Sequence, residues 1–198
     1  KNPVLYSAFK HADLLIPDGI GIVLAVRWLF GIRIQRVPGV DFLKEICRLA
    51  EAEEVPIFVY GSRETVNKSA ADRLRTMFPG LFIAGRSNGY VPEVEMPALI
   101  RQINDSGAKI LFLALGSPNQ EKWFADHARD LKNVRVCQGI GGTLDTIAGS
   151  VKRAPAVWQR FSAEWLYRLL SEPRRIRRQR VLPLFAMRVF LAGINPDP

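Results

Sequence analysis

Short apolar runs alternate along the chain with longer stretches in which apolar residues recur every three or four positions. Residues 14–17, 56–60, 81–84, 110–115 and 134–137 are runs of strand length, bounded by turn-formers such as Asp18-Gly19, Gly61-Ser62, Gly116-Ser117-Pro118 and Gly139-Ile140-Gly141-Gly142. Residues 38–53, 64–78, 92–104 and 118–131 carry helical spacing, often with Pro near the start, and 22–30 is helix-like as well. Apolar runs of this kind, alternating with helices, are buried on both faces. They predict an α/β fold with a largely parallel sheet and helices on both faces. No internal repeat or low-complexity linker interrupts the series.

In such sheets ligands bind where strand C-termini meet helix N-termini. Asp18, Gly61-Ser62, Asn88-Gly89-Tyr90, Gly116 to Gln120 and Gly139 to Thr143 all stand at those junctions and should crowd one edge.

At 198 residues the chain suits one domain, or one domain with an appendage. A chain of this size can bury roughly 70% of its unfolded surface. The composition excludes collagen, disorder and a disulfide scaffold. Cys47 and Cys137 are distant and lack His companions, so they read as small core residues of a reduced compartment. No segment reaches the roughly 18 consecutive apolar residues of a membrane span; residues 181–193 are interrupted by Pro183 and Arg188. The chain opens on Lys1-Asn2-Pro3 with neither an initiator Met nor a signal peptide, so further residues are expected upstream.

The net charge of +9 is unevenly placed. Residues 1–151 hold 18 Lys and Arg against 16 Asp and Glu, whereas 152–198 hold 10 against 3. A nearly neutral body, 1–151, is therefore expected to carry a strongly basic helical C-terminal appendage, 152–198. Such an appendage binds an anion: nucleic acid, anionic lipid or a phosphorylated substrate. Trp158, Phe161, Trp165, Leu166 and Leu169 fall at helical spacing just ahead of the arginine cluster. Basic residues interleaved with aromatics suit nucleic acid, and equally an interfacial membrane binder.

Each candidate for chemistry has a plain structural alternative. Gly139-Ile140-Gly141-Gly142-Thr143 is either a phosphate cradle or a tight strand-to-helix turn, and it has neither Walker nor dinucleotide spacing. Asp18 is either a helix N-cap or a general base at the binding edge. Ser117 and Glu121 suit a cap and a capping box, while Gln120 has no capping duty and would present an amide into the cleft. Arg36, pinned beside Val37-Pro38-Gly39, is either a surface residue or a phosphate clamp. His11 and His127 lack metal-ligand companions, and no Asp-x-Asp pair stands at a strand end.

Taken in order, these pieces resemble the WecG/TagA/CpsF glycosyltransferases, also called family 26. The matching residues are Ala12-Asp13-Leu14, Pro17-Asp18-Gly19-Ile20-Gly21, Arg36-Val37-Pro38-Gly39-Val40-Asp41, Gly116-Ser117-Pro118-Asn119-Gln120-Glu121 and Gly141-Gly142-Thr143-Leu144-Asp145. Arg153-Ala154-Pro155, Glu164-Trp165-Leu166-Tyr167-Arg168-Leu169 and Glu172-Pro173-Arg174-Arg175 complete the series. The resemblance implies a Rossmann-like sheet and an inverting, metal-independent transferase that needs no cofactor. It would move a sugar (N-acetylmannosamine, its uronic acid, or glucose) from a UDP-sugar to a polyprenyl-diphosphate-linked saccharide in bacterial cell-surface polysaccharide synthesis.

The same resemblance puts Asp18, Arg36 and Gln120 in the catalytic pocket. It puts Gly19, Gly61, Ser62, Gly89, Tyr90, Gly116, Gly141, Gly142 and Asp145 around the substrate. Arg168, Arg175 and Arg178 would meet the lipid diphosphate. The enzyme would be peripheral, on the cytoplasmic face of the inner membrane, with an anionic membrane surface as partner and room for self-association in solution. Family members begin with a further Thr-x-Asn segment, and this chain starts after that point. A nucleic-acid-binding α/β module is the competing reading, but it predicts basic residues spread over the body, which is nearly neutral. Asp18, Arg36 and Gln120 also argue against a nucleotide-binding regulator without transfer activity.

Overall fold

The computed structural model describes residues 3–151, 153–161, 163–171 and 181–194. It is an α/β structure around a four-stranded, all-parallel sheet in the order β2-β1-β3-β4. The strands are β1 (Ile57–Gly61), β2 (Ile83–Ser87), β3 (Ile110–Ala114) and β4 (Val136–Gly139). Helices α1 (Pro3–His11), α2 (Ile20–Phe30) and α3 (Gly39–Ala52) precede the sheet. The crossovers are α4 (Glu64–Met77), α5 (Met96–Asp105) and α6 (Asn119–His127). Then follow α7 (Thr143–Ile147), α8 (Ala156–Arg160), α9 (Glu164–Ser171) and α10 (Val181–Ile194).

All residues of β1 and β3 are buried, and their side chains sort by parity onto two cores. Ile57, Val59, Ile110, Phe112 and Ala114 face Leu43 and Cys47 of α3, Ala70 and Leu74 of α4, and Leu144 of α7. Phe58, Tyr60, Leu111 and Leu113 face Leu99 and Ile103 of α5 and Trp123 of α6. Helices therefore cover both faces. The Trp123 indole N–H reaches the Met96 sulfur at 3.1 Å and its ring lies 5.1 Å from Tyr60, so α5 and α6 are tied to the same apolar layer.

One expectation fails in the body. Residues 14–17 form no strand; Leu14 and Leu15 are exposed and sit beside no ladder. Three apolar residues before a Pro lack the length to enforce pairing when no sheet edge accepts them. His11, placed in a helical stretch from sequence, ends α1, whose last turn closes with His11 Nδ1 2.8 Å from the Ser7 carbonyl.

Pro183 does not interrupt its segment. It lies in the first turn of α10, where a missing N–H costs no helical bond. The apolar stripe from Trp158 to Leu169 is split between α8 and α9, with Phe161 exposed at the junction.

By their contacts the residues divide into two compact units. One comprises Lys1–Leu15 and Gly39–Val151 and holds the sheet. The other comprises Ile16–Pro38 and Lys152–Pro198. Among the described residues, no helix is long and apolar enough to cross a membrane.

Candidate functional site

In the sheet unit, strand order reverses between β1 and β3: the chain leaves β1 toward β2, then returns past β1 to β3. Beyond the carboxyl ends of these strands is the crevice such folds use for ligands. There the backbone is tightly knit. The Ser62 N–H donates to the Ala114 carbonyl at 2.9 Å, and the Gly89 N–H to the Ser62 carbonyl at 2.7 Å. Gly61 has φ of +126°, and a Cβ there would stand 2.5 Å from the Ala114 carbonyl carbon, so only glycine fits. Gly61, Ser62 and Gly89 are thus brought together where β1 and β2 end, with Gly116 two residues past β3, whereas Asp18, expected at the same edge, belongs to the other unit. Tyr90, next to Gly89, leaves its ring 73% exposed while its N–H is held by the Asn88 side chain at 2.9 Å.

A residue missed from sequence holds this edge. Asn67 on α4 is fully buried, and its amide nitrogen lies 2.9 Å from the carbonyls of Gly61 and Ser87 and 3.3 Å from that of Val59. It clamps the ends of β1 and β2 from below. The only signal was an Asn on the apolar face of an otherwise amphipathic helix, between Val66 and Ala70.

The glycine-rich segment after β4 is a strand-to-helix turn, with Gly141 at φ +48° and α7 opening at Thr143. Gln120 reaches across to it. Its carboxamide oxygen accepts the Gly141 N–H at 3.0 Å, and its nitrogen donates to Glu121 Oε1 at 3.1 Å. A Cβ at Gly139 would stand 2.5 Å from that same nitrogen, so the glycine admits the amide. Gly142 and Asp145 adjoin the turn, the Asp145 carboxylate lying on α7 3.9 Å from a Cβ position at Gly142.

The capping roles expected of Ser117 and Glu121 do not hold. Pro118 occupies the N-cap position without any side-chain bond, and Glu121 is spent on Gln120, with its Oε2 buried and without a hydrogen-bond partner among the described residues.

The second unit holds a different constellation. Asp18 is not the cap of α2, since Gly19 occupies that position with no side-chain bond. The Arg36 Nε instead donates to the Asp18 carbonyl at 2.6 Å, and the Val37 N–H donates to the Pro17 carbonyl at 3.1 Å, so two bonds join the segments flanking α2. The Arg36 Nη2 lies 2.6 Å from Glu164 Oε2 and 3.7 Å from Asp18 Oδ1. Arg153 Nε stands 3.6 Å from the other Glu164 oxygen.

The charges alternate as Asp18, Arg36, Glu164, Arg153, with Glu164 buried and the Asp18 side chain 62% exposed. Of the two carboxylates Arg36 holds Glu164 the more closely, and the Asp18 carboxylate stays largely exposed to solvent. Glu164 was legible only as part of a motif, not as a site residue. A buried carboxylate of this kind shows itself through its partners, which lie 128 residues away for Arg36.

Asp18 and Arg36 belong to one unit and Gln120 to the other. Arg168 lies on α9 with its side chain outside the described residues, and Arg175 and Arg178 fall outside them altogether. Among the described residues no three of His, Cys, Asp and Glu gather as metal ligands, and His127 rests against Trp123 with centroids 5.1 Å apart. Set beside known families, residues 1–197 match the one described as Glycosyl transferase WecG/TagA/CpsF family, essentially the whole chain.

Proposed function

This chain belongs to the WecG/TagA/CpsF glycosyl transferase family, which makes it a glycosyltransferase of cell-surface polysaccharide synthesis, and from that premise we propose an inverting, metal-independent transfer from a UDP-sugar to a polyprenyl-diphosphate-linked saccharide. The observation that carries the reading is the open Asp18 carboxylate 3.7 Å from a guanidinium whose closer partner is the buried Glu164.

Asp18 takes the proton from the acceptor hydroxyl as its oxygen attacks the anomeric carbon. The bond from that carbon to the β-phosphate oxygen breaks, and UDP leaves with the electron pair. A single base suffices for inversion. Charge on the departing diphosphate is met by Arg36. Gln120 positions the Gly139–Gly142 turn, and Gly61, Ser62, Gly89, Tyr90, Gly116 and Asp145 of the sheet unit would bind the donor, while Gly19 is assigned to substrate binding beside Asp18.

Arg168, Arg175 and Arg178 would bind the acceptor's diphosphate, and the basic residues of 152–198 would hold the enzyme to an anionic leaflet, each adding about 1 kcal/mol near the surface. The body, 1–151, and the appendage, 152–198, divide the work into donor binding and acceptor delivery. The donor sugar would be N-acetylmannosamine, its uronic acid or glucose.

The test is UDP release from a panel of UDP-sugars in EDTA, with and without a short-chain polyprenyl-diphosphate saccharide. Acceptor-dependent release that survives EDTA is the expected result. Release that EDTA abolishes would overturn metal independence, and binding of UDP with no release from any donor would overturn the transfer itself.

A further inference from the structure

In the second unit, α2 and α10 are apolar on nearly every side. Of the eleven residues of α2 only Ala25 is buried, and α10 has no buried residue. The two helices pack through one stripe. Phe185 approaches Gly21, the Trp28 indole fills the space that a Cβ at Gly193 would need, and Trp28 stacks on Phe190 with centroids 5.8 Å apart at 15°. That contact leaves Leu24, Trp28 and Phe30 of α2 and Leu184, Met187 and Leu191 of α10 exposed. An apolar surface of this extent marks an interaction site.

We propose that α2 and α10 together form a wedge seated at the headgroup–acyl boundary of an anionic membrane, so that α2 is a docking element in its own right beside the basic tail. The proposal rests on the lipid-linked acceptor read above and deepens it.

Neither helix is long enough to span, so they lie in the interfacial plane. Charge selects the occupant. Residues 16–38 and 152–198 together hold 13 Lys and Arg against 4 Asp and Glu, and Arg27 and Arg188 are exposed on the two helices themselves. A second copy would set like charge against like charge, whereas anionic headgroups neutralise it. Asp18 stands two positions before the first residue of α2, so seating α2 holds that carboxylate at headgroup depth, where the diphosphate of a lipid-linked acceptor lies.

The experiment uses the full chain with phosphatidylglycerol-containing vesicles, some brominated on the acyl chains, and phosphatidylcholine vesicles as the neutral control. Bromolipid should quench tryptophan fluorescence in the wild type, and Trp28→Phe should remove that part of the quenching. Leu24→Asp with Phe30→Asp should weaken partitioning at least about tenfold with the far-UV spectrum retained. An unquenched Trp28 overturns the wedge and leaves docking to the tail alone. So does a concentration-dependent dimer, seen by sedimentation velocity, that Phe30→Asp dissolves. The vesicles carry neither donor nor acceptor. Quenching without UDP release therefore sinks the transferase reading and spares the wedge, and release without quenching does the reverse.

Discussion

Between the two carboxylates, Arg36 gives a 2.6 Å contact to Glu164 and only a 3.7 Å approach to Asp18, and on this inequality rests the proposal that Asp18 acts as the base. Asp18→Asn should lower turnover roughly a hundred- to ten-thousand-fold while UDP binding, measured by calorimetry, stays within about twofold. Unchanged turnover would remove Asp18 from the base role. Glu164→Ala strands the Arg36 charge against Arg153. It should cost about 3 kcal/mol by urea denaturation, at the low end for a broken buried pair because the two side chains keep 18% and 10% exposure. Asp18 and Arg36 were legible as candidates because each sits in a loop punctuated by Pro and Gly. Their joining was not legible, since 18 positions separate them and only the folded loops bring the guanidinium to the Asp18 carbonyl.

At the scale of elements, the strands whose spans sequence foretold most closely are those buried on both faces, where an unbroken apolar run has a single solution. β2 and β4 lie at the sheet edges and are shifted from their predicted spans of 81–84 and 134–137 to 83–87 and 136–139, because an edge strand is placed by its one neighbour more than by its own pattern. The clamp on β1 and β2 belongs to this scale. Asn67→Ala removes the donor shared by the buried Gly61 and half-buried Ser87 carbonyls. It should lower stability by about 2–3 kcal/mol, read from the denaturant midpoint. A change under about half a kilocalorie would mean that those carbonyls find other donors.

For the whole molecule, both apolar cores that flank the sheet lie within residues 39–147. A chain ending at Gly149 should therefore retain cooperative unfolding of the sheet unit by circular dichroism while losing most vesicle binding. A non-cooperative melt would show that the sheet unit depends on the remainder. Burial also pushes the Cys47 and Cys137 thiols up from 9.0 to about 12. The folded state thus holds these protons after the unfolded state has released them. The stabilisation is complete below pH 9 and is lost as the pH climbs from 9 toward 12. The denaturation midpoint should fall between pH 8 and pH 10.5, and the drop should be smaller in Cys47→Ala.

The sequence by itself determined the α/β class, the four paired strands, the helices that cross between them and the glycine turns at their ends, because periodicity and turn chemistry are local and repeat along the chain. Tertiary structure alone decided that 14–17 is not a strand, that Asp18 is no helix cap, that Gln120 bonds the Gly141 turn, that Asn67 clamps the ends of β1 and β2 and that Glu164 pairs with Arg36. Each of those outcomes depends on partners that meet only after folding, where burial turns an ordinary amide or carboxylate into a group that must be satisfied.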